Sequence, residues 1–354
     1  MNYEQFHHDI NGKEKDIFLV NMTQEENHYF SQLMTRGIAK YLRQNKRIAV
    51  IVNKKGYSNG VICHDCWFVP QCKRCSVSIN YHKMQNDYKM GLCHICKEQY
   101  EVPTKCEQCW SKQIRPFGMG TQQVAEYLEQ EFDCKTLLVE SEKANSFAKI
   151  KRLRDQLTEI KWKPPILVGT SLLRTPIPEY PLDLVIFLNA DLWLNIPDYN
   201  AAEKNFLFLY DAFVKHEKAS FVVQSFNPEH YSIRNACKLS LPLFTEEDNT
   251  FRKTHGYPPF AELCVILYKH DIEERLFTKV DTLHKELLYL REKYQFEDLE
   301  IYSTPPLIYK IFGKYRYNII LKWPQVRNFM DIVYTKLNLG TKWFKINRNA
   351  DTIV

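Results

Sequence analysis

Glycine is scarce in this chain: eleven occur among 354 residues, about half of the roughly 7% usual in proteins. No Gly-x-x-x-x-Gly-Lys-Ser/Thr sequence occurs, so the usual device for cradling the β and γ phosphates of ATP is excluded. Long apolar runs are missing as well. No stretch of eighteen apolar residues exists and Met1 to Asp16 is polar and mixed in charge, so neither a membrane span nor a secretory signal is expected and the expected compartment is the cytoplasm. A strong charge imbalance is lacking too. Forty-eight basic against forty-two acidic side chains leave a net charge of +6, which suits a nucleic-acid partner without requiring one. No low-complexity tract or long repeat interrupts the chain. What is present is 45% hydrophobic residues, enough for ordinary buried cores in two or three domains.

Eleven cysteines in a reducing compartment argue for metal or free thiols before disulfides. Eight form four Cys-x-x-Cys knuckles in one short segment: Cys63/Cys66, Cys72/Cys75, Cys93/Cys96 and Cys106/Cys109. A knuckle sets two thiolates on one side of a tight turn, and two knuckles complete the tetrahedral four-sulfur shell that Zn²⁺ prefers. Two zinc ions per chain follow. The close spacing of the middle pairs favours a nested arrangement, with Cys63, Cys66, Cys106 and Cys109 as one site and Cys72, Cys75, Cys93 and Cys96 as the other; sequential and crossed pairings stay open. Closed four-sulfur sites leave no coordination position for a substrate, so a structural role is expected. Cys134, Cys237 and Cys264 sit in apolar surroundings and read as small buried hydrophobes.

Around the knuckles the pattern is α/β. Ile17 to Val20 reads as a strand, Glu26 to Gln44 as an amphipathic helix and Arg47 to Val52 as a buried strand. After the cysteines, Thr121 is expected to cap a helix through Leu128. Lys135 to Val139, Ile166 to Val168, Leu184 to Leu188 and Phe221 to Val223 read as strands, and Ala148 to Ile160 as a helix. Such alternation predicts a mostly parallel sheet covered on both faces, with the zinc segment inserted. From Tyr257 the rhythm becomes strand Glu262 to Tyr268, helix Glu273 to Lys293, strand Leu299 to Tyr302, strand Tyr315 to Leu321, helix Gln325 to Leu337 and strand Trp343 to Ile346. That is the βαββαβ order of a ferredoxin-like domain.

The knuckle array, Lys54-Lys55-Gly56-Tyr57 before it and Gly118-Met119-Gly120-Thr121 after it resemble the primosomal protein N′ family, the PriA-type replication-restart helicases. Ile166-Leu167-Val168-Gly169-Thr170 is similar to that family's helicase motif V, and Pro197 to Glu203 to the approach to motif VI. His255 to Phe260 and Gly313 to Tyr317 resemble parts of its C-terminal domain. The resemblance implies the start of helicase lobe 2 (a RecA-like fold) at 1–62, a zinc-binding insertion at 63–115, the remainder of lobe 2 at 116–227, and a ferredoxin-like α+β domain at 228–354.

The chain departs from the family pattern where ATP chemistry is concerned. The phosphate loop, the first helicase lobe and the N-terminal DNA-binding domain have no counterpart in it, and Thr175-Pro176 stand where a Lys-Gly is expected. At the place of the family's arginine finger the chain reads Asp211-Ala212-Phe213-Val214-Lys215-His216-Glu217-Lys218, and lysine lacks the planar fork of an arginine. The resemblance therefore implies a primosomal DNA-binding protein of replication restart that by itself neither uses ATP nor unwinds DNA. Its expected partners are forked or single-stranded DNA, single-stranded-DNA-binding protein and other primosome proteins. Two alternatives are a lobe-2 subunit of a split 3′–5′ helicase, with lobe 1 on a separate ATPase chain, and a zinc-ribbon adaptor between proteins. Lys54, Lys55, Gly169, Thr170, Lys314 and Arg316 are the candidate DNA or partner contacts, with no catalytic residue assigned. On the strand after Gly313, period two puts Lys314 and Arg316 on one face and Tyr315 and Tyr317 on the other, the tyrosines expected inward.

Trp67 and Trp110 each follow the second cysteine of a knuckle, a place that commonly needs positive φ and therefore glycine. Together with the glycine deficit this leaves two readings. Either UGA codons meaning glycine have been read as tryptophan, with Trp162 and Trp193 as further instances, or the indoles are genuine and pack or stack.

Overall fold

The computed structural model describes residues 2–10, 12–52, 60–63, 65–66, 68–75, 77, 79–83, 89–93, 96, 98–117, 120–139, 146–160, 163–324, 326–336 and 344–348. The elements run β1 (Tyr3–Ile10), β2 (Lys13–Asn21), α1 (Gln32–Arg43), β3 (Ile48–Ile51), then the short strands β4 (Gly60–Cys63), β5 (Asn80–Lys83), β6 (Lys89–Leu92), β7 (Gln99–Glu101) and β8 (Ile114–Phe117). They continue α2 (Thr121–Phe132), β9 (Thr136–Val139), α3 (Ser146–Thr158), β10 (Ile166–Gly169), β11 (Leu184–Phe187), α4 (Ala201–Lys215), β12 (Ser220–Ser225), α5 (Tyr231–Cys237) and α6 (Leu241–Thr254). The last group is β13 (Glu262–His270), α7 (Glu273–Lys293), β14 (Glu300–Thr304), β15 (Lys310–Ile311), β16 (Lys314–Trp323), α8 (Val326–Lys336) and β17 (Phe344–Arg348). Two compact units emerge: one of Met1–Ser58, Gly118–Asn195 and Ala201–Thr245, the other of Asn59–Phe117, Ile196–Asn200 and Glu246–Val354.

The first unit is built on a seven-stranded sheet in the order β1-β2-β12-β11-β3-β10-β9. All its pairings are parallel except the β1–β2 hairpin at one edge. Successive strand residues turn to opposite faces, and both faces are dry: Ala49, Ile51, Leu167, Val185 and Phe187 enter one core with α4 and α5, while Ile48, Val50, Ile166, Val168 and Ile186 enter a second with α1 and α2. Hence β3, β10 and β11 are apolar throughout, as strands buried on both faces must be. Gly169 ends β10 for a steric reason. A Cβ there would lie 2.3 Å from the carbonyl oxygen of Val139 on β9, so only glycine permits that approach.

Several local expectations need correction. The helix read from Glu26 begins at Gln32, because the Asn27 carboxamide oxygen accepts from the N–H groups of Tyr29 and Phe30, holding that stretch in a turn. Ser31 then caps the helix, its hydroxyl accepting from Met34 N–H at 3.2 Å, worth about 1 kcal/mol. Thr121 is the first helical residue of α2 and not its cap; Gly120 holds that position, with Gln123 Oε1 accepting its N–H at 3.4 Å. The polar N-terminal segment forms β1, and α4, α5 and α6 are helices the sequence pattern did not announce.

In the second unit, β14-β16-β13-β17 form an antiparallel sheet, with β15 against β16. With α7 and α8 this gives the βαββαβ arrangement. One face packs on Leu276, Val280, Leu283 and Leu287 of α7 and Phe329 and Met330 of α8, the i, i+3/i+4 stripe that makes α7 readable. The opposite face buries Leu263, Val265 and Ile320 in a cluster with Tyr199, against which Tyr257 and Tyr302 pack. Among the described residues no helix is long and apolar enough to cross a membrane.

Candidate metal centres

The cysteine segment of the second unit has two small sheets, the β4–β8 ladder and the three strands β5, β6 and β7. Its apolar cluster is slight and partly made of the cysteines themselves, with Cys72, Cys75 and Cys93 beside Val61 and Ile79. Each knuckle closes by the same backbone bond, from the N–H of the first cysteine to the carbonyl five residues on: Cys63 to Phe68 at 2.9 Å, Cys72 to Val77 at 2.8 Å, Cys93 to Glu98 at 2.9 Å and Cys106 to Ser111 at 2.8 Å. The ladder then decides which knuckles meet. Cys63 lies opposite Ile114 on β8, which draws Cys63–Cys66 to Cys106–Cys109. Asn80 lies opposite Leu92, which draws Cys72–Cys75 to Cys93–Cys96.

The ligand atoms of Cys63, Cys66, Cys106 and Cys109 all lie within 4.8 Å of one another, as do those of Cys72, Cys75, Cys93 and Cys96. Sulfur separations include 3.5 Å for Cys63–Cys109, 3.5 Å for Cys66–Cys106 and 3.6 Å for Cys72–Cys96. A zinc ion with sulfurs about 2.3 Å away in a tetrahedron has edges of about 3.8 Å, so both quartets fit that ion. Among the described residues these are the two groups that could hold a metal.

Polar hydrogens surround the sulfurs. Burial alone would raise the Cys63 thiol, but the N–H groups of Cys66 and Asp65 and the neighbouring thiols bring it down to about 7. Cys72 likewise resists burial and falls to about 7 through the Tyr100 hydroxyl and the N–H groups of Arg74 and Cys75. Tyr100 Oη is 3.1 Å from Cys72 Sγ. The N–H of Gln108 reaches Cys106 Sγ at 3.4 Å, and the N–H groups of Phe68 and Ser111 donate to Cys66 and Cys109. Donors of this kind stabilise thiolate charge and orient ligands around a metal. Tyr100 carries no sequence signal of this role because it lies outside the repeated spacing.

Trp110 has φ of 61° and is 75% exposed, a left-handed conformation for a bulky side chain with little packing to hold it. The Trp193 indole N–H is buried without a hydrogen-bond partner among the described residues. Trp67 and Trp162 fall outside the described residues. Cys237 and Cys264 are buried and Cys134 half-buried.

The candidate nucleic-acid contacts are distributed over both units and the undescribed residues. In the first unit Gly169 ends β10 and Thr170, which follows it, is buried. Lys54 and Lys55 lie outside the described residues. On β16, Lys314 is exposed, 3.9 Å from Asp271, whereas Arg316 is half-buried, donates to the carbonyl of Ile308 at 3.2 Å and leaves its Nε buried without a partner among the described residues. Tyr315 and Tyr317 pack against the core under α7 and α8. In the segment read as the arginine-finger site, Lys215 pairs with Asp211 at 2.8 Å along α4, and His216 is buried with Nε2 3.0 Å from the Leu173 carbonyl.

No family model matches the chain. It is 28% identical over 319 residues to replication restart protein PriA of Bacillus subtilis, covering 88% of this chain and 39% of that protein. It is 28% identical over 316 residues to the Borreliella burgdorferi protein of the same name, covering 87% and 46%, and 26% identical over 311 residues to that of Thermotoga maritima, covering 86% and 40%. The chain thus spans less than half the length of these curated relatives, and over most of its own length it is similar to the C-terminal half of replication restart protein PriA.

Proposed function

We propose that this chain is a PriA-like primosomal protein of DNA replication restart that holds two structural zinc ions and has no ATPase activity of its own. The observation that carries the reading is the pair of nested four-cysteine quartets in a chain resembling PriA across 88% of its length. In this reading the parallel sheet is helicase lobe 2, interrupted at 63–115 by the zinc module, and 228–354 is the ferredoxin-like domain. Eight thiolates leave no open coordination position, so each zinc ties loops together and does not act on a substrate. Forked and single-stranded DNA, with single-stranded-DNA-binding protein and other primosome proteins, are the partners. Against ATP turnover stand the missing phosphate loop and the state of Asp211 to Lys218. The nearby Arg174 guanidinium lies 4.5 Å from the Phe208 ring and 3.9 Å from Asp211, and burial holds its pKa below the usual arginine range.

A second reading, the lobe-2 subunit of a two-chain helicase, is favoured by the intact parallel sheet with Gly169 and Thr170 at the C-terminal end of β10, where α/β sheets bind ligands. Fluorescence anisotropy with forked DNA tests the first reading. Affinity is expected to fall steeply with salt and to depend little on sequence, with Lys314→Ala weakening it and no phosphate released from ATP. Absence of binding at low salt contradicts the proposal. DNA-stimulated phosphate release that appears only with a copurifying phosphate-loop protein selects the second reading.

A further inference from the structure

The Phe312-Gly313 turn joins β15 to β16, with Ile311 paired to Lys314 across it, and both turn residues have positive φ, 50° and 82°. Two left-handed residues in a row make the hairpin turn whose twist suits the strands, but its first position ordinarily takes asparagine, aspartate or glycine. Phenylalanine is strained there, and its ring is 58% exposed, so packing does not explain it. Crowding does not explain the glycine either, since a Cβ on Gly313 would meet nothing within 4 Å among the described residues. The backbone does. Two consecutive N–H groups of the turn serve the Cys72–Cys75 knuckle of the same unit: that of Gly313 donates to the carbonyl of Arg74 at 2.9 Å, and that of Phe312, beside it, favours the Cys75 thiolate. In the outer quartet the equivalent donors to Cys66 and Cys109 come from within the knuckles themselves, at Phe68 and Ser111.

We propose that the Phe312-Gly313 turn is a remote part of the inner metal site: its two N–H groups hold the Cys72–Cys75 knuckle in place, so the inner ion leaves only when the turn undocks. The metal in turn fastens the cysteine module to the antiparallel sheet through β16, while the outer ion is held by its own knuckles. This rests on the reading that both quartets carry zinc. Outer-shell donors of this kind change metal affinity by roughly ten- to a hundredfold, and because the coupling is thermodynamic it acts in both directions.

Zinc release from the full chain to a chromogenic chelator is the test, with the two release phases assigned by Cys72→Ser and Cys109→Ser. Gly313→Ala introduces backbone strain without a clash and is expected to speed the inner phase about tenfold, leaving the outer phase unchanged. Phe312→Asn keeps the N–H, adopts the left-handed conformation readily, and is expected to release the inner ion no faster than wild type. Equal inner rates in Gly313→Ala and wild type overturn the proposal, as does equal acceleration of both phases. Should Gly313→Ala fail to fold, the wild-type protein loaded with ¹¹³Cd decides by amide NMR. A through-hydrogen-bond coupling from the Phe312 amide to the inner cadmium is expected, and its absence while the Phe68 and Ser111 amides couple to the outer cadmium overturns the proposal. Wild-type protein with fewer than two zinc ions rejects the zinc reading itself, and this proposal with it.

Discussion

The hydroxyl of Tyr100, on β7, donates to Cys72 Sγ at 3.1 Å, and its oxygen accepts the N–H of Lys73 at 3.2 Å. One side chain thus grips the inner knuckle at two points. Burial and the nearby thiol both raise the phenol's pKa, so it remains a donor at any pH the protein experiences. Tyr100→Phe keeps the ring and removes both bonds. The expected result is about a tenfold loss of zinc affinity at the inner quartet, read as one zinc lost at a chelator concentration that leaves two in wild type.

Gly169→Ala is expected to destabilise the first unit by about 3 kcal/mol, because its Cβ would meet a backbone oxygen that cannot move without shifting β9. Urea unfolding measures it. Any loss of DNA binding in this variant should then track the loss of folded protein.

Trp110→Gly is expected to stabilise the cysteine module by about 1 kcal/mol by relieving the left-handed strain of an exposed side chain, read as a higher midpoint in thermal unfolding of the zinc-loaded chain. The codon reading is tested separately. It requires UGA at Trp110 and Trp67 in the gene and glycine masses in the native peptides, and UGG codons at both would end it.

Burial depresses the pKa of His216, aided by the positive charge of Lys15, whereas the Leu173 carbonyl and Asp211 act in the opposite sense. The folded value therefore lies below the unfolded value of about 6.5. Between the two the unfolded chain binds more protons, so stability falls as pH drops below about 6.5, at up to ~1.4 kcal/mol per pH unit, until the folded value is passed. His216→Gln keeps a donor for Leu173 and does not titrate. Its unfolding free energy should change less than that of wild type between pH 7.5 and 5.5, and an identical slope counts against His216 as the cause.

The sequence reveals structure where burial imposes a pattern. The apolar run of β3 and the stripe of α7 are legible because each strand or helix meets a core over its whole length. β1 was illegible: Tyr-Glu-Gln-Phe-His-His-Asp-Ile is held by backbone pairing to β2 at the sheet edge, from Tyr3 opposite Val20 to Ile10 opposite Lys13, and backbone bonds leave no mark in composition. α4 was hidden for the opposite reason. It buries Ala201, Phe206, Phe208, Leu209, Ala212 and Phe213 around much of its circumference, which blurs the amphipathic stripe. At the candidate site the knuckles announce the thiols by spacing, but spacing alone leaves three pairings open, and the β4–β8 and β5–β6 registers choose among them. Phe312 reaches Cys75 across more than two hundred residues of sequence, a distance no local pattern spans.

The presence of two four-sulfur zinc sites is tested most directly by elemental analysis joined to zinc X-ray absorption on the reduced, purified chain. The account predicts two zinc ions per chain, each with four sulfurs at about 2.3 Å and no nitrogen or oxygen ligand. One zinc or none, or a shell containing nitrogen or oxygen, would contradict it.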